Sequence, residues 1–91
     1  MLQVYLTDLA AYNAGSLVGK WVQFPITGFE LSQAISEVLT EGEHAVNGNN
    51  HEEYFITDYE WDDVDIKEID EYDNIYELND ELILLTELDK D

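Results

Sequence analysis

Arginine and cysteine are absent from this 91-residue chain, and lysine occurs only at Lys20, Lys67 and Lys90. Each shortage closes off a class of function. Without cysteine there are no disulfides and no thiolate metal sites, so nothing points to an oxidising compartment. Affinity for nucleic acid comes largely from Lys and Arg neutralising phosphates, which excludes DNA and RNA as direct ligands. Docking onto an anionic membrane surface fails for the same reason. The opening residues Met1-Leu2-Gln3-Val4 lack the basic region and apolar run of a signal peptide. No apolar stretch approaches the roughly 20 residues of a membrane span, so a cytoplasmic setting is expected.

What is present is acid. Twenty-two Asp and Glu against three Lys give a formal charge of −19. The hydrophobic fraction of 45% and aromatic fraction of 12% are too high for a disordered acidic tail. A single folded domain over residues 1–91, with a modest core, is therefore expected. Self-repulsion opposes its compaction, so salt or a cationic partner should stabilise it. The acids are not spread evenly. Five lie in residues 1–50 (Asp8, Glu30, Glu37, Glu41 and Glu43), and the other seventeen follow. The first half reads as scaffold and the second as the source of the field.

Residues 2–7 alternate, with Leu2, Val4 and Leu6 on one face, which predicts a strand. Tyr12-Asn13-Ala14-Gly15 reads as a loop, and 17–24 as a second strand that Pro25 ends; Gly19 within it marks a bulge or a close backbone approach. Thr27-Gly28-Phe29-Glu30 fits a capping box, with Ile26 and Leu31 placed as a hydrophobic staple. A helix over about 27–40 follows, with Leu31, Ile35, Val38 and Leu39 as its apolar stripe and Gly42 as its stop. Asn47-Gly48-Asn49-Asn50 predicts a turn, and 53–59 a third strand. Residues 61–71 interleave acids with Val64, Ile66 and Ile69 and take no assignment. Asp73 or Asn74 caps a last helix over about 74–88, its stripe being Ile75, Leu78, Leu82 and Leu85. The expected fold is α+β: a small three-stranded antiparallel sheet with two helices.

Catalytic and metal chemistry find little support. An EF-hand loop counted from Asp58 needs Gly at position 6 and Glu at 12, where Asp63 and Ile69 stand. His44 and His51 have no metal-ligand spacing and read as solvated loop residues. Ser16, Ser32 and Ser36 lie outside any G-x-S-x-G setting, and no phosphate-binding glycine loop occurs. Paired carboxylates abound, but a small chain with so few basic residues is poorly equipped to hold an anionic substrate. No enzyme activity, metal or cofactor is expected.

The acidic field itself remains. Adaptation to high salt would acidify the whole surface, whereas these acids cluster. A solvated tail would lack large apolar residues, yet Tyr54, Phe55, Tyr59, Trp61, Tyr72 and Tyr76 are interleaved with the acids. Imitation of nucleic acid fits both facts. Duplex DNA carries one charge per roughly 1.7 Å, so about 19 charges correspond to roughly 32 Å of duplex. A compact domain of this length has a radius of gyration near ~12 Å and a diameter of about 30 Å. The candidate partner-binding acids are Asp58, Glu60, Asp62, Asp63, Asp65, Glu68, Asp70, Glu71, Asp73, Glu77, Asp80 and Glu81. They are expected to pair with Lys and Arg that normally grip phosphates, with Tyr59, Trp61, Tyr72 or Tyr76 adding apolar contact.

Val4-Tyr5, Leu9, Tyr12-Asn13, Gly15, Leu17, Gly19, Trp21 and Pro25, in that order and spacing, resemble the first domain of the ArdA antirestriction family. The resemblance continues at Glu52-Glu53-Tyr54-Phe55-Ile56-Thr57-Asp58-Tyr59-Glu60 and at Ile75-Tyr76-Glu77-Leu78-Asn79, covering most of the chain. It implies a three-stranded antiparallel sheet with a short helix, bearing part of a DNA-like acidic surface. It also implies a phage or mobile-element origin, a bacterial host cytoplasm, and a type I restriction-modification enzyme whose DNA groove is the target. Family members are nearly twice as long, and their later domains, which supply length and the dimer contact, have no counterpart here. The oligomeric state is thus left open. A CRISPR nuclease is the alternative target, because its cationic channel makes a similar electrostatic demand. A cation-binding acidic module is the remaining alternative.

Overall fold

A computed structural model describes residues 1–46, 51–62 and 64–88. Three strands and three helices follow the order β1 (Leu2–Asp8), α1 (Leu9–Asn13), β2 (Gly19–Phe24), α2 (Gly28–Ala45), β3 (Tyr54–Trp61) and α3 (Ile75–Leu88). The strands form one antiparallel sheet in the order β2-β1-β3, as expected for an α+β fold. The turn at 47–50 lies outside the described residues.

The alternation of β1 sets the two faces of the sheet. Leu2, Val4 and Leu6 are fully buried and meet Val22 and Phe24 of β2 and Ile56 and Trp61 of β3 in the core. Leu31, Ala34, Ile35 and Val38 of α2 and Ile75, Leu78 and Leu82 of α3 close it from the same side. Burial of these apolar side chains is the main favourable term for a chain whose charges oppose collapse.

The register contains one irregularity. Tyr5 faces Asp58 and Leu6 faces Ile56, so Thr57 is an extra residue in β3. Its hydroxyl hydrogen-bonds that of Thr7 at 2.7 Å. The bulge resets the phase of β3. Beyond it, Asp58 and Glu60 share the outer face with Tyr5 and Gln3, while Tyr59 and Trp61 turn towards the helices.

Several boundaries differ from those expected. The segment read as a loop contains α1, too short for a periodic stripe and started instead by a cap: Asp8 accepts the Ala11 N–H at 2.9 Å. Gly15, at φ +90°, ends it, with the Ser16 N–H donating back to the Ala11 carbonyl at 2.8 Å in the manner of a Schellman motif. Strand β2 begins at Gly19, two residues later than expected. Gly19 is a close backbone approach: a Cβ there would overlap the Leu6 carbonyl oxygen. Strand β3 runs on to Trp61.

Helix α2 starts as the capping signals indicate, with Thr27 Oγ1 accepting the Glu30 N–H at 3.1 Å. It does not stop at Gly42 but continues to Ala45. Gly42 is buried against Asp8, and a side chain there would occupy the space of the carboxylate. The glycine is a packing device, not a terminator. Asn74 caps α3, its side-chain oxygen accepting the N–H groups of Tyr76 and Glu77. The buried stripe of α3 ends at Leu82, and Leu85 is exposed. Asn79, absent from the expected core, is buried and clamps α3 to the turn before α2. Its amide accepts from Ile26 N–H at 3.0 Å and donates to Ile26 C=O at 2.8 Å.

Two substitutions test this packing. Alanine normally exceeds glycine inside a helix by about 1 kcal/mol. At residue 42 the sign reverses, and Gly42→Ala should destabilise by ~1–3 kcal/mol in urea unfolding because the added methyl meets Asp8. Asn79→Ala, which strands both backbone groups of Ile26, should cost about 1–3 kcal/mol in the same measurement.

Candidate partner-binding surface

The pleat of β3 and the path of the chain beyond it sort the acids onto two surfaces. Asp58 and Glu60 stand exposed on the outer sheet face, beside Gln3 and Tyr5 of β1. Trp21 of β2, 45% exposed, packs edge-on against Tyr5 with ring centroids 5.3 Å apart. The second band follows residues 65–81. Asp65, Glu68, Asp70 and Glu71 are exposed on the connection, Asp73 is half-buried at its end, and Glu77, Asp80 and Glu81 are exposed on α3. Asp63 lies outside the described residues.

The connection left unassigned in sequence is held at defined points. Ile69 is buried in the core. Ile56 N–H donates to Glu71 C=O at 2.9 Å, and the Trp61 indole N–H donates to Lys67 C=O at 3.0 Å. A tight turn follows, in which Asp70 N–H donates to Asp73 Oδ2 and Tyr72 N–H to Asp70 Oδ1. Trp61 thus differs from its expected role as a surface contact. The bulge points it inward, where it is only 9% exposed. Tyr59 is half-buried against the same core. Tyr72 and Tyr76 are exposed as expected, and so are Tyr12, Trp21 and Phe29.

Among the described residues, Lys20 pairs with Glu37 at 2.6 Å, Lys67 with Glu81 at 3.0 Å, and the Met1 ammonium with Asp62 at 2.9 Å. Exposed pairs of this kind add little stability, but they reduce the net field where they occur. Asp62 also accepts from the side-chain amides of Gln3 and Gln23. Its hydrogen bond with the Met1 ammonium, then those with the glutamines, hold its carboxyl below the usual aspartate range. Asp62 therefore fastens the sheet ends and is not a free charge. Asp58, Glu60, Asp65, Glu68, Asp70, Glu71, Asp73, Glu77 and Asp80 have no cationic partner among the described residues.

His51 departs from the solvated role expected of it. Its ring is buried, and Nδ1 stands 2.8 Å from the fully buried Asp8 carboxylate; His44 is exposed. No signal in the sequence joined Asp8 to His51, because 43 positions separate them. Burial, then neighbouring Tyr76, raises the Tyr54 phenol above its ordinary value, so it stays neutral. Among the described residues no group of three His, Asp or Glu is placed to hold a metal ion. No described helix is long and apolar enough to cross a membrane.

Fold and surface define a class: a small α+β protein whose distinguishing feature is an outward display of uncompensated carboxylates. The chain belongs to the antirestriction protein (ArdA) family, whose family model matches residues 4–91. That membership makes it an antirestriction protein, from a family of inhibitors and not of catalysts, and implies a protein partner such as a restriction enzyme. No curated protein sequence matches it.

The Asp62 contacts carry a pH dependence. A depressed folded-state pKa contributes stability above the unfolded value and loses it as pH falls through the folded one. Asp62→Asn should lower the melting temperature at neutral pH. The difference from the native chain should vanish in acid, below the range in which Asp62 is ionised, in melts recorded across that span.

Proposed function

We propose that the chain inhibits a type I restriction-modification enzyme by occupying the groove that otherwise holds DNA. The observation that supports this is the pairing pattern: the described cations are consumed by Glu37, Glu81 and Asp62, leaving Asp58, Glu60 and the rest of the 65–81 band unpaired among the described residues. A basic groove recognises such a surface as it recognises phosphates, by charge-assisted contacts that steer encounter and weaken with salt.

The dimensions set how close the imitation comes. The molecule measures 50 × 24 × 16 Å with a radius of gyration of 14.0 Å, longer than the sphere expected from its length. A duplex of that length carries roughly 29 charges at about 1.7 Å per charge, so −19 is about two-thirds of its linear density. The carboxylates need not copy every phosphate. They need only reach those that the groove grips.

Competition decides the matter. Increasing amounts of the protein should displace labelled duplex from a type I enzyme, with an inhibition constant that rises steeply across a salt series. Asp58→Lys with Glu60→Lys, and separately Glu77→Lys with Asp80→Lys, should show which band contacts the groove. Reversal in the contacting band should weaken inhibition roughly tenfold or more. Inhibition that proceeds with duplex still bound would overturn the proposal.

A further inference from the structure

The acids beside residue 72 are accompanied by an aromatic arrangement that phosphate imitation does not require. Phe55, on the outer face of β3, is sandwiched: Tyr12 meets it edge-on at 5.1 Å, and Tyr72 lies nearly parallel to it at 6.0 Å and 23°. Tyr72 is nevertheless 67% exposed, so much of its ring is open to a ligand. The ring borders a cavity of about 280 Å³ lined by Tyr54, Phe55, Tyr72 and Tyr76 together with Glu71 and Asp73. This lies below the roughly 300–1,000 Å³ of sites for small molecules and cofactors, and suits a single side chain. The turn that carries Tyr72 is fixed by hydrogen bonds between Asp70 and Asp73, so the site is formed before a partner arrives.

We infer that this cavity receives one arginine side chain of the partner protein, its guanidinium stacked on Tyr72 and its N–H groups directed to Glu71 and Asp73. The inference rests on the cationic groove proposed above and specifies which cation the site prefers. A planar guanidinium stacks on an aromatic face and offers parallel donors to a carboxylate, whereas an ammonium is a compact, strongly hydrated point charge. A carboxylate alone attracts both. An open tyrosine ring beside carboxylates discriminates between them. Trp21 and Tyr5, which share the outer sheet face with Asp58, form the competing aromatic pair.

Tetra-arginine and tetra-lysine peptides, equal in charge, test this on the whole protein without any enzyme. The arginine peptide should bind roughly two- to fivefold more tightly and shift the ring NMR signals of Tyr72 and Phe55. Tyr72→Leu, at an exposed position and checked by thermal melting, should abolish that preference while keeping the affinity for tetra-lysine. Glu71→Gln with Asp73→Asn should weaken both peptides. Equal affinities, a preference that survives Tyr72→Leu, or shifts centred on Tyr5 and Trp21 would overturn the inference. A preference that is present while DNA competition fails would instead remove the proposed groove and leave the arginine site.

Discussion

The carboxylate of Asp8 is the point on which the arrangement of the other elements depends. It ends the central strand with no exposure to solvent, in a chain whose other charges repel it. Burying a carboxylate is costly unless it is hydrogen-bonded and paired. Here Oδ1 accepts the Ala11 N–H and Oδ2 meets His51 Nδ1, so one side chain starts α1 and fixes the segment leading into β3. Helix α2 can cross it only because residue 42 has no side chain. The three helices and the sheet are thus related through two local contacts. One is this carboxylate; the other is Asn79, which performs the same service for α3 through Ile26.

These contacts separate what was legible in sequence from what was not. Strand β1 and the start of α2 were readable because their signals are local: alternation in one, a Thr cap with a staple in the other. Helix α1 was not, because five residues carry no period and its cap, Asp8, stands directly after the alternating residues 2–7 with no stripe to follow. Gly42 was ambiguous in principle, since a helical glycine either ends a helix or makes room for a neighbour. Only the partner, 34 positions earlier in sequence, decides between these. Leu85 has the right spacing for burial, yet the core ends one turn before it.

The surface divides along the same line. That the second half of the chain is acidic follows from composition, and the exposure of Asp58, Glu60 and the 65–81 band agrees with it. Which acids are already spoken for does not follow. Asp62 looked like any other member of the run Trp61-Asp62-Asp63, but β1 and β2 bring the chain start and two glutamines to it. Trp61 and Tyr59 looked like surface aromatics among acids, and only pairing with Leu2 and Val4 shows them to face the core. The aromatic stack around Phe55 joins residues from α1, β3 and the turn before α3, and no short-range pattern announces it.

The extra residue in β3 has a consequence of an evolutionary kind. Because one bulged position sets the phase of the strand, 58–61 behave like a text with a reading frame. Substitutions within it rewrite single letters: a charge can be gained, lost or exchanged on the outer face without disturbing the inner one. Loss of the bulge with Thr57 retained, so that Thr57 itself opposed Tyr5, would shift the frame, carrying Asp58 and Glu60 into the apolar layer and Tyr59 and Trp61 out into water. The acidic face is therefore free to vary in composition as targets change, but its length is fixed by the core behind it.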